Sequence, residues 1–226
     1  MPTMFKKVLN CPLFKGISEQ DLPFLLSCLN ARTAVFDKGS VVLNAGEIWK
    51  TCGIVIEGKT QVFQYDFLGS GSLIATIKPM QLFAEAFSCT GISAPITVEA
   101  AEKSEILFLN TSRIHTTCDR NCAFHARLIY NLLHIMALKN VALLQKIECM
   151  SQKTTREKLM TFLSMEAMKN QSSEFDIPYD RQGLADYLSV NRSALSVEIS
   201  RLAKDGLIKC RKNRFKLSEN SPRSFD

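Results

Sequence analysis

Arg192, Ser193, Ser196 and Val197 stand together on the solvent side of one short amphipathic segment, and their chemistry is that of base-edge recognition. An arginine donates in a fork to guanine, serine hydroxyls donate or accept, and a valine can touch a thymine methyl. Arg181, Gln182, Arg201, Lys212 and Arg214 are placed to hold phosphates, which orient a protein on a duplex without reading its sequence. Between residues 202 and 217 stand Lys204, Lys209, Arg211, Lys212, Arg214 and Lys216 against the single acid Asp205. The whole chain has 28 Lys/Arg and 22 Asp/Glu, a net +6, and residues 151–226 carry 14 against 10, so they hold +4 of it. A polyanion is the simplest partner for such a patch; a charged face that only keeps the chain soluble is the alternative.

These side chains need rigid elements behind them. Asp180 is a good N-cap for a helix over 181–188 whose inward face is Leu184, Ala185 and Leu188, with Ala185 small where a crossing helix approaches. Ser189-Val190 makes a short turn. Asn191, itself counted in the DNA-facing set, caps a second helix from Arg192 to about Asp205, apolar at Leu195, Ile199 and Leu202. Two short helices joined by a tight turn form a helix-turn-helix. Gly206 then ends the second helix, and 207–211 and 215–217 read as strands turning at Lys212-Asn213-Arg214, a basic wing. Upstream, Thr154 and Glu157 form a capping box for a helix through Leu159, Phe162, Leu163 and Met165 to about Met168, followed by a polar loop over 169–174.

A second constellation could bind metal. His115, Cys118, Cys122 and His125 offer soft and imidazole ligands that one continuous helix would bring to one face. Asp119-Arg120-Asn121 reads as a turn, which breaks that face, and the expectation is of no bound metal and no cofactor. The chain has 8 Cys, and Met1–Leu9 lacks an apolar core followed by a small-residue cleavage site. Reduced thiols and a cytoplasmic location are therefore expected. A thiol switch between Cys11 and Cys210 is kept as an alternative.

Length and composition bound the rest. With 226 residues, 46% of them hydrophobic and 22% charged, the chain is long enough for a full core and unlike a disordered or fibrous sequence. Its longest apolar stretches are interrupted by Lys, Asn, Glu or Thr, so no membrane span is expected. From Thr33 to Leu109, short β-branched and aromatic runs at 53–56, 62–65, 73–77 and 96–98 alternate with turn signals, the texture of an all-β sandwich or barrel with an interior for a small ligand. From about Asn121 the period turns helical. Leu133, Asn140 and Ile147 as a positions, with Ile129, Met136, Leu143 and Met150 as d positions, make a heptad seam with one polar residue in the a line. A buried Asn there fixes register and two-strandedness, so the helix reads as a dimer axis. The alternative is a helix that packs its stripe on its own β domain; Leu128, Leu132 and Ile135 widen the stripe enough for both contacts.

The chain resembles the Crp/Fnr superfamily of bacterial regulators. The likeness runs from Cys11-Pro12-Leu13-Phe14-Lys15-Gly16 through Gly53–Lys59, Lys78–Glu85 and Thr97–Ala100 to the segment Asp180–Leu195. It implies an α+β chain: an antiparallel β roll of the jelly-roll or cupin-like kind that senses an effector over 1–120, a dimerisation helix over 121–150 and a winged helix-turn-helix over 151–226. It implies a homodimeric transcription regulator on an inverted-repeat site in double-stranded DNA, with RNA polymerase as a further partner and no enzymatic activity. In members that bind cyclic nucleotides, a Gly-Glu pair is followed nine or ten residues on by Arg-Ser/Thr-Ala. Here Glu85 is kept, but Ala84 replaces the glycine and Ala94-Pro95-Ile96 stands where the arginine triplet would. A buried phosphate without its cation carries a large desolvation penalty. The expected effector is therefore a small molecule other than cyclic AMP, near Phe83, Glu85, Ala94, Pro95 and Asn140, which biases a hinge at Ser151 to Lys153.

Other classes fit less well. A cupin-type enzyme needs a His-rich metal set inside the roll, and the first His is His115. A nucleotide-binding module acting through protein contacts alone has no use for Arg192 and a basic wing. A thiol- or metal-responsive regulator of the same fold is the remaining alternative.

Overall fold

In the computed structural model, which describes residues 6–114 and 123–218, the alternating runs pair into two antiparallel four-stranded sheets. One has the order β1 (Arg32–Phe36), β8 (Ser104–Asn110), β3 (Thr51–Glu57), β6 (Leu82–Phe83); the other has β2 (Val41–Leu43), β7 (Thr97–Ala100), β4 (Thr60–Tyr65), β5 (Gly71–Ile77). This is the expected roll. The four runs legible as strands became β3, β4, β5 and β7, while β1, β2, β6 and β8 owe their definition to pairing.

The central strands of the first sheet, β3 and β8, are buried on both faces. Val55, Ile106 and Phe108 pack with Trp49, Val62, Phe83, Ala94 and Val98 to join the two sheets. Cys52, Ile54, Ile56, Leu107 and Leu109 face a second cluster built with Leu13, Phe14, Leu22 and Leu25 from the N-terminal helical pieces. Two-sided burial explains why 53–56 reads as an unbroken apolar run rather than an alternating one. Gly53 stands opposite Phe83 in the β3–β6 register, and a Cβ there would lie 2.2 Å from the Phe83 ring. The glycine is what lets that ring come so close to the strand.

Six α-helices have both ends among the described residues: α1 (Leu22–Cys28), α2 (Glu85–Thr90), α3 (Ala123–Ser151), α4 (Thr155–Asn170), α5 (Arg181–Leu188) and α6 (Arg192–Lys204). Ser18 accepts the Asp21 N–H at 3.1 Å, as a capping residue does, but the continuous helix begins only at Leu22. By contrast the Thr154–Glu157 capping box closes in both directions, with Glu157 N–H to Thr154 Oγ1 at 3.1 Å and Thr154 N–H to Glu157 Oε2 at 3.0 Å.

The chain divides into two compact units, Met1–Ala137 and Leu138–Asp226, so α3 contributes to both. In the first unit Leu128 and Leu132 join the core, and Asn131 donates to the carbonyls of Leu13 and Lys15 at 2.9 and 2.8 Å. In the second unit Cys149 is fully buried among α4, α5 and α6 side chains. The heptad residues Ile129, Leu133, Leu143, Ile147 and Met150 remain 42–66% exposed; Asn140 is also exposed and Met136 half-buried. By length and composition alone the helix over Phe124–Ser151, whose most apolar stretch has a mean hydropathy of 1.3, is long and apolar enough to cross a membrane, a test that helices of soluble proteins also pass.

The second unit also carries a three-stranded sheet, in the order β10 (Ile208–Arg211), β11 (Arg214–Leu217), β9 (Glu174–Asp176). Two readings need correction here. The polar segment expected as a loop over 169–174 is the end of α4, a turn and the first residue of β9. The wing turn is Lys212-Asn213 alone: Arg211 pairs with Arg214, which is a strand residue.

Candidate nucleic-acid interface

The two caps that orient α5 and α6 are made as their sequences imply. Asp180 Oδ1 accepts the Gly183 N–H at 2.7 Å, and Asn191 Oδ1 accepts the Ser193 N–H at 2.8 Å and the Ser193 hydroxyl. Between the helices Ser189 takes a left-handed φ of 51°, and its N–H returns to the carbonyls of Ala185 and Asp186. Leu195, Ile199 and Leu202 then fix the rotation of α6, because all three are buried against Leu184, Ala185, Leu188, Phe162 and Ile208.

That rotation decides what faces outward. At about 100° per residue, Ser193, Val197, Ser200 and Lys204 lie opposite the buried stripe, flanked by Ser196 and Arg201. Val197 is 47% exposed. Arg192 sits on the first turn, exposed and in no ion pair among the described residues. The Ser196 hydroxyl donates to Arg192 O and that of Ser200 to Ser196 O, each at 3.0 Å, which leaves both oxygens free to accept. Ser200 was not among the sequence-derived candidates and Lys204 only as part of the basic patch, although their spacing from Ser193 and Val197 is a continuous helical stripe.

The residues expected to hold phosphates are less uniformly available. The Arg181 guanidinium lies over the Phe215 ring at 5.6 Å and donates to the Cys210 thiol at 3.2 Å, so it is half-buried and braces the wing. Gln182 donates to Asp186 Oδ1 at 2.8 Å, Arg201 pairs with Glu198 at 2.7 Å, and Arg214 pairs with Glu174 at 2.9 Å. Lys212, at the wing tip with φ 55°, is exposed and makes no ion pair among the described residues. Asn191 spends its side-chain oxygen on the cap.

α4 supports this surface from behind. Arg156 pairs with Asp205 at 2.8 Å beyond the end of α6, and Lys158 reaches Leu188 O at 3.5 Å. Phe162, Tyr179 and Tyr187 form a triangle of rings 5.2–6.0 Å apart, with Lys146 of α3 over Tyr187 at 5.9 Å. Burial, helped by Cys149, pushes the Tyr187 hydroxyl up to about 12, so it stays protonated at neutral pH.

In the first unit the expected effector residues separate. Phe83 and Ala94 are buried, and the Ala94 backbone is bonded on both sides, its N–H to Glu47 O at 3.1 Å and its O from Gly46 N–H at 2.8 Å. Glu85 opens α2 and is 6% exposed. Ala84 before it holds φ 65°, the conformation a glycine would take without strain. Pro95 is exposed, not pocket-lining, because the chain turns outward between Ala94 and β7. Asn140 lies on the α3 surface in the second unit.

Of the metal-ligand set, His115, Cys118 and Cys122 lie outside the described residues. His125 is 7% exposed, and its Nδ1 has no hydrogen-bond partner among the described residues. Among those residues no group of three His, Cys, Asp or Glu could hold a metal ion. Burial pushes the thiols of Cys11 and Cys52 up to about 11 and about 12, far from thiolate chemistry at neutral pH.

Comparison with known proteins follows the division of the chain. Residues 33–121 match the cyclic nucleotide-binding domain and residues 157–219 match the Crp-like helix-turn-helix domain. No curated protein matches the chain. Among solved structures, CprK complexed with OCPA is 15% identical, with 86% of this chain and 88% of that one covered and a TM-score of 0.63. A CooA mutant from Carboxydothermus hydrogenoformans is 17% identical, with 84% and 85% covered and a TM-score of 0.53. DNR from Pseudomonas aeruginosa is 18% identical, with 97% and 96% covered and a TM-score of 0.50. At these identities the likeness establishes the shared fold.

Proposed function

From the premise that the chain belongs to the Crp/Fnr superfamily of regulators, we propose that it is a homodimer that reads an inverted repeat in duplex DNA through α6. The observation that carries this reading is the outward stripe of α6 with the exposed Arg192 beside it on the first turn. Arg192, Ser193, Ser196 and Val197 stand on a capped helix whose rotation is locked by three buried side chains, with a basic wing beside it. Arg192 reads guanine, the hydroxyls and Val197 complete the base contacts, and Lys212, Lys204, Arg201 and Arg214 engage phosphates. Gln182 joins them once it leaves Asp186.

The partner of α3 is a second copy of the chain. Eight apolar side chains on its surface, Ile129, Leu133, Leu138, Val141, Leu143, Leu144, Ile147 and Met150, are each 42–66% exposed. Covering them supplies a patch on the order of the ~800 Å² per partner that stable interfaces bury. The single polar Asn140 in an otherwise apolar a line is the pattern of a parallel two-stranded seam. A lysine in mid-bilayer would cost about 2.5–3.5 kcal/mol, which favours a helix partner over lipid. In the dimer the two α6 helices would be spaced for successive major grooves, about 34 Å apart.

An effector in the roll, close to Phe83, Glu85 and Ala94, shifts the population of DNA-competent dimers by binding one state better than the other. Ala94 stands fully buried where a phosphate-binding arginine would be needed, so cyclic AMP is not that effector. Calorimetry should detect no binding of cyclic AMP; a micromolar isotherm would refute this assignment. The metal-responsive alternative draws on the buried Nδ1 of His125, which has no partner among the described residues, and stoichiometric zinc or iron in the purified chain would favour it.

The DNA reading is tested by anisotropy titrations on a panel of single-base variants of a selected site. Arg192→Ala should cost about 1–3 kcal/mol and relax preference at one base position, while Lys212→Ala weakens every sequence alike. Equal, sequence-blind losses in both variants would overturn the base-reading role of Arg192.

A further inference from the structure

The outward face of the wing sheet is a ladder of charges with an acidic edge. Strand alternation and register place Lys209 and Arg211 of β10, Arg214 and Lys216 of β11, and Glu174 and Asp176 of β9 on that face. Ile208, Phe175 and Phe215 point the other way into the core. Lys209, Lys216 and Glu174 form one row across the sheet; Arg211, Arg214 and Asp176 form the next. Each row sets two like charges directly opposite one another, an arrangement that destabilises a sheet, and then ends in an acid.

Glu174 engages cations from both rows. Its Oε1 lies 2.9 Å from Arg214 Nε and its Oε2 lies 3.9 Å from Lys216 Nζ. The three side chains are 42–60% exposed, so solvent screens the pairs and they contribute little to stability. What they change is the availability of two cations that face outward from the wing. A carboxylate that spans an arginine and a lysine occupies the place a DNA phosphate would take, with similar geometry and the same sign of charge.

We propose that Glu174 is a built-in phosphate mimic that holds Arg214 and Lys216 in the free protein and competes with the DNA backbone for them. Its presence lowers the affinity of the wing for all duplexes and reduces the number of phosphates the wing neutralises, leaving discrimination to α6. The inference deepens the DNA-binding reading and rests on it.

The test compares the full chain with Glu174→Gln, which keeps the side-chain size and one acceptor for Arg214 while removing the charge. Dissociation constants are measured by anisotropy on a selected duplex and on a scrambled duplex, from about 50 to 200 mM salt. Glu102→Gln, in a turn of the first unit where Glu102 pairs with Lys59, controls for net charge. The expected result is that Glu174→Gln binds both duplexes more tightly by the same factor, roughly 3–10-fold at low salt, and the log–log salt slope steepens by about 0.9 for each phosphate gained. Glu102→Gln should leave the slope unchanged. If Glu174→Gln matches Glu102→Gln, or binds more weakly with a lowered melting temperature, Glu174 is a strut of the sheet and the proposal fails. If the wild-type chain binds neither duplex at the lowest salt, the DNA-binding reading itself fails and takes the proposal with it.

Discussion

Truncating Leu133 to alanine should dissociate the dimer while leaving the fold of each chain intact. Leu133 is 66% exposed on α3. Burying a leucine completely is worth about 1.5–3 kcal/mol, so covering the exposed two-thirds in a partner's seam contributes about 1–2 kcal/mol per chain. Two symmetry-related copies are lost together, and alanine keeps only the first carbon, which brings the total to roughly 1.5–3 kcal/mol per dimer. That is a roughly 10–150-fold weaker dimer. Sedimentation equilibrium over a range of concentrations reads the dissociation constant directly. Leu128→Ala is the matching control: Leu128 is fully buried in its own chain's core, and its truncation should cost about 2–5 kcal/mol of thermal stability with a smaller change in dimer dissociation. An unchanged dimer constant for Leu133→Ala, with an unchanged melting curve, would refute the seam.

Asn140→Ile should tighten the dimer and loosen its specification, giving trimers or mixed registers in mass photometry; a weaker dimer of unchanged order would contradict its a-line role. Phe215→Ala removes a fully buried ring that also carries the Arg181 guanidinium, so about 3–5 kcal/mol of second-unit stability should go, seen as an earlier melting transition. The thiols of Cys11 and Cys149 are held up to about 11 by burial. Because the folded values lie above that of a free thiol, this stabilisation is whole below about pH 8.5 and lost as pH rises through 11. Melting temperatures should therefore fall between pH 9 and 11, less steeply in Cys149→Ala, and an unchanged pH profile in that variant would contradict the assignment. Asn191→Ala should cost about 0.5–2 kcal/mol by removing the α6 cap, measured by urea unfolding.

Local chemistry was legible and distant pairing was not. The caps at Thr154, Asp180 and Asn191, the inward stripe of α6 and the end of α3 at Ser151 all follow from residues a few positions apart, and each is made in the structure. β9 has only three residues, too few for its polar-apolar-polar pattern to signal a strand; it is one because β11, some forty residues later, pairs with it. The same distance hid the fate of Arg181, whose partners Phe215 and Cys210 lie in the wing. Ser200 and Lys204 continue the helical stripe of Ser193 and Val197 beyond the first turns of α6, a spacing present in the sequence. In the roll, Ala84 stands where the resemblance places a glycine, and its φ is 65°. The turn is retained, and the departure that bears on the effector is the side chain missing at Ala94.

Footprinting by hydroxyl radicals on a selected operator, with the bound complex weighed by light scattering, tests the central claim most directly. Two chains on one duplex, protecting backbone flanking two major grooves one helical turn apart, about 10–10.5 bp between centres, is the predicted result. One chain per duplex with protection at a single groove, or no protected sequence at all, would contradict it.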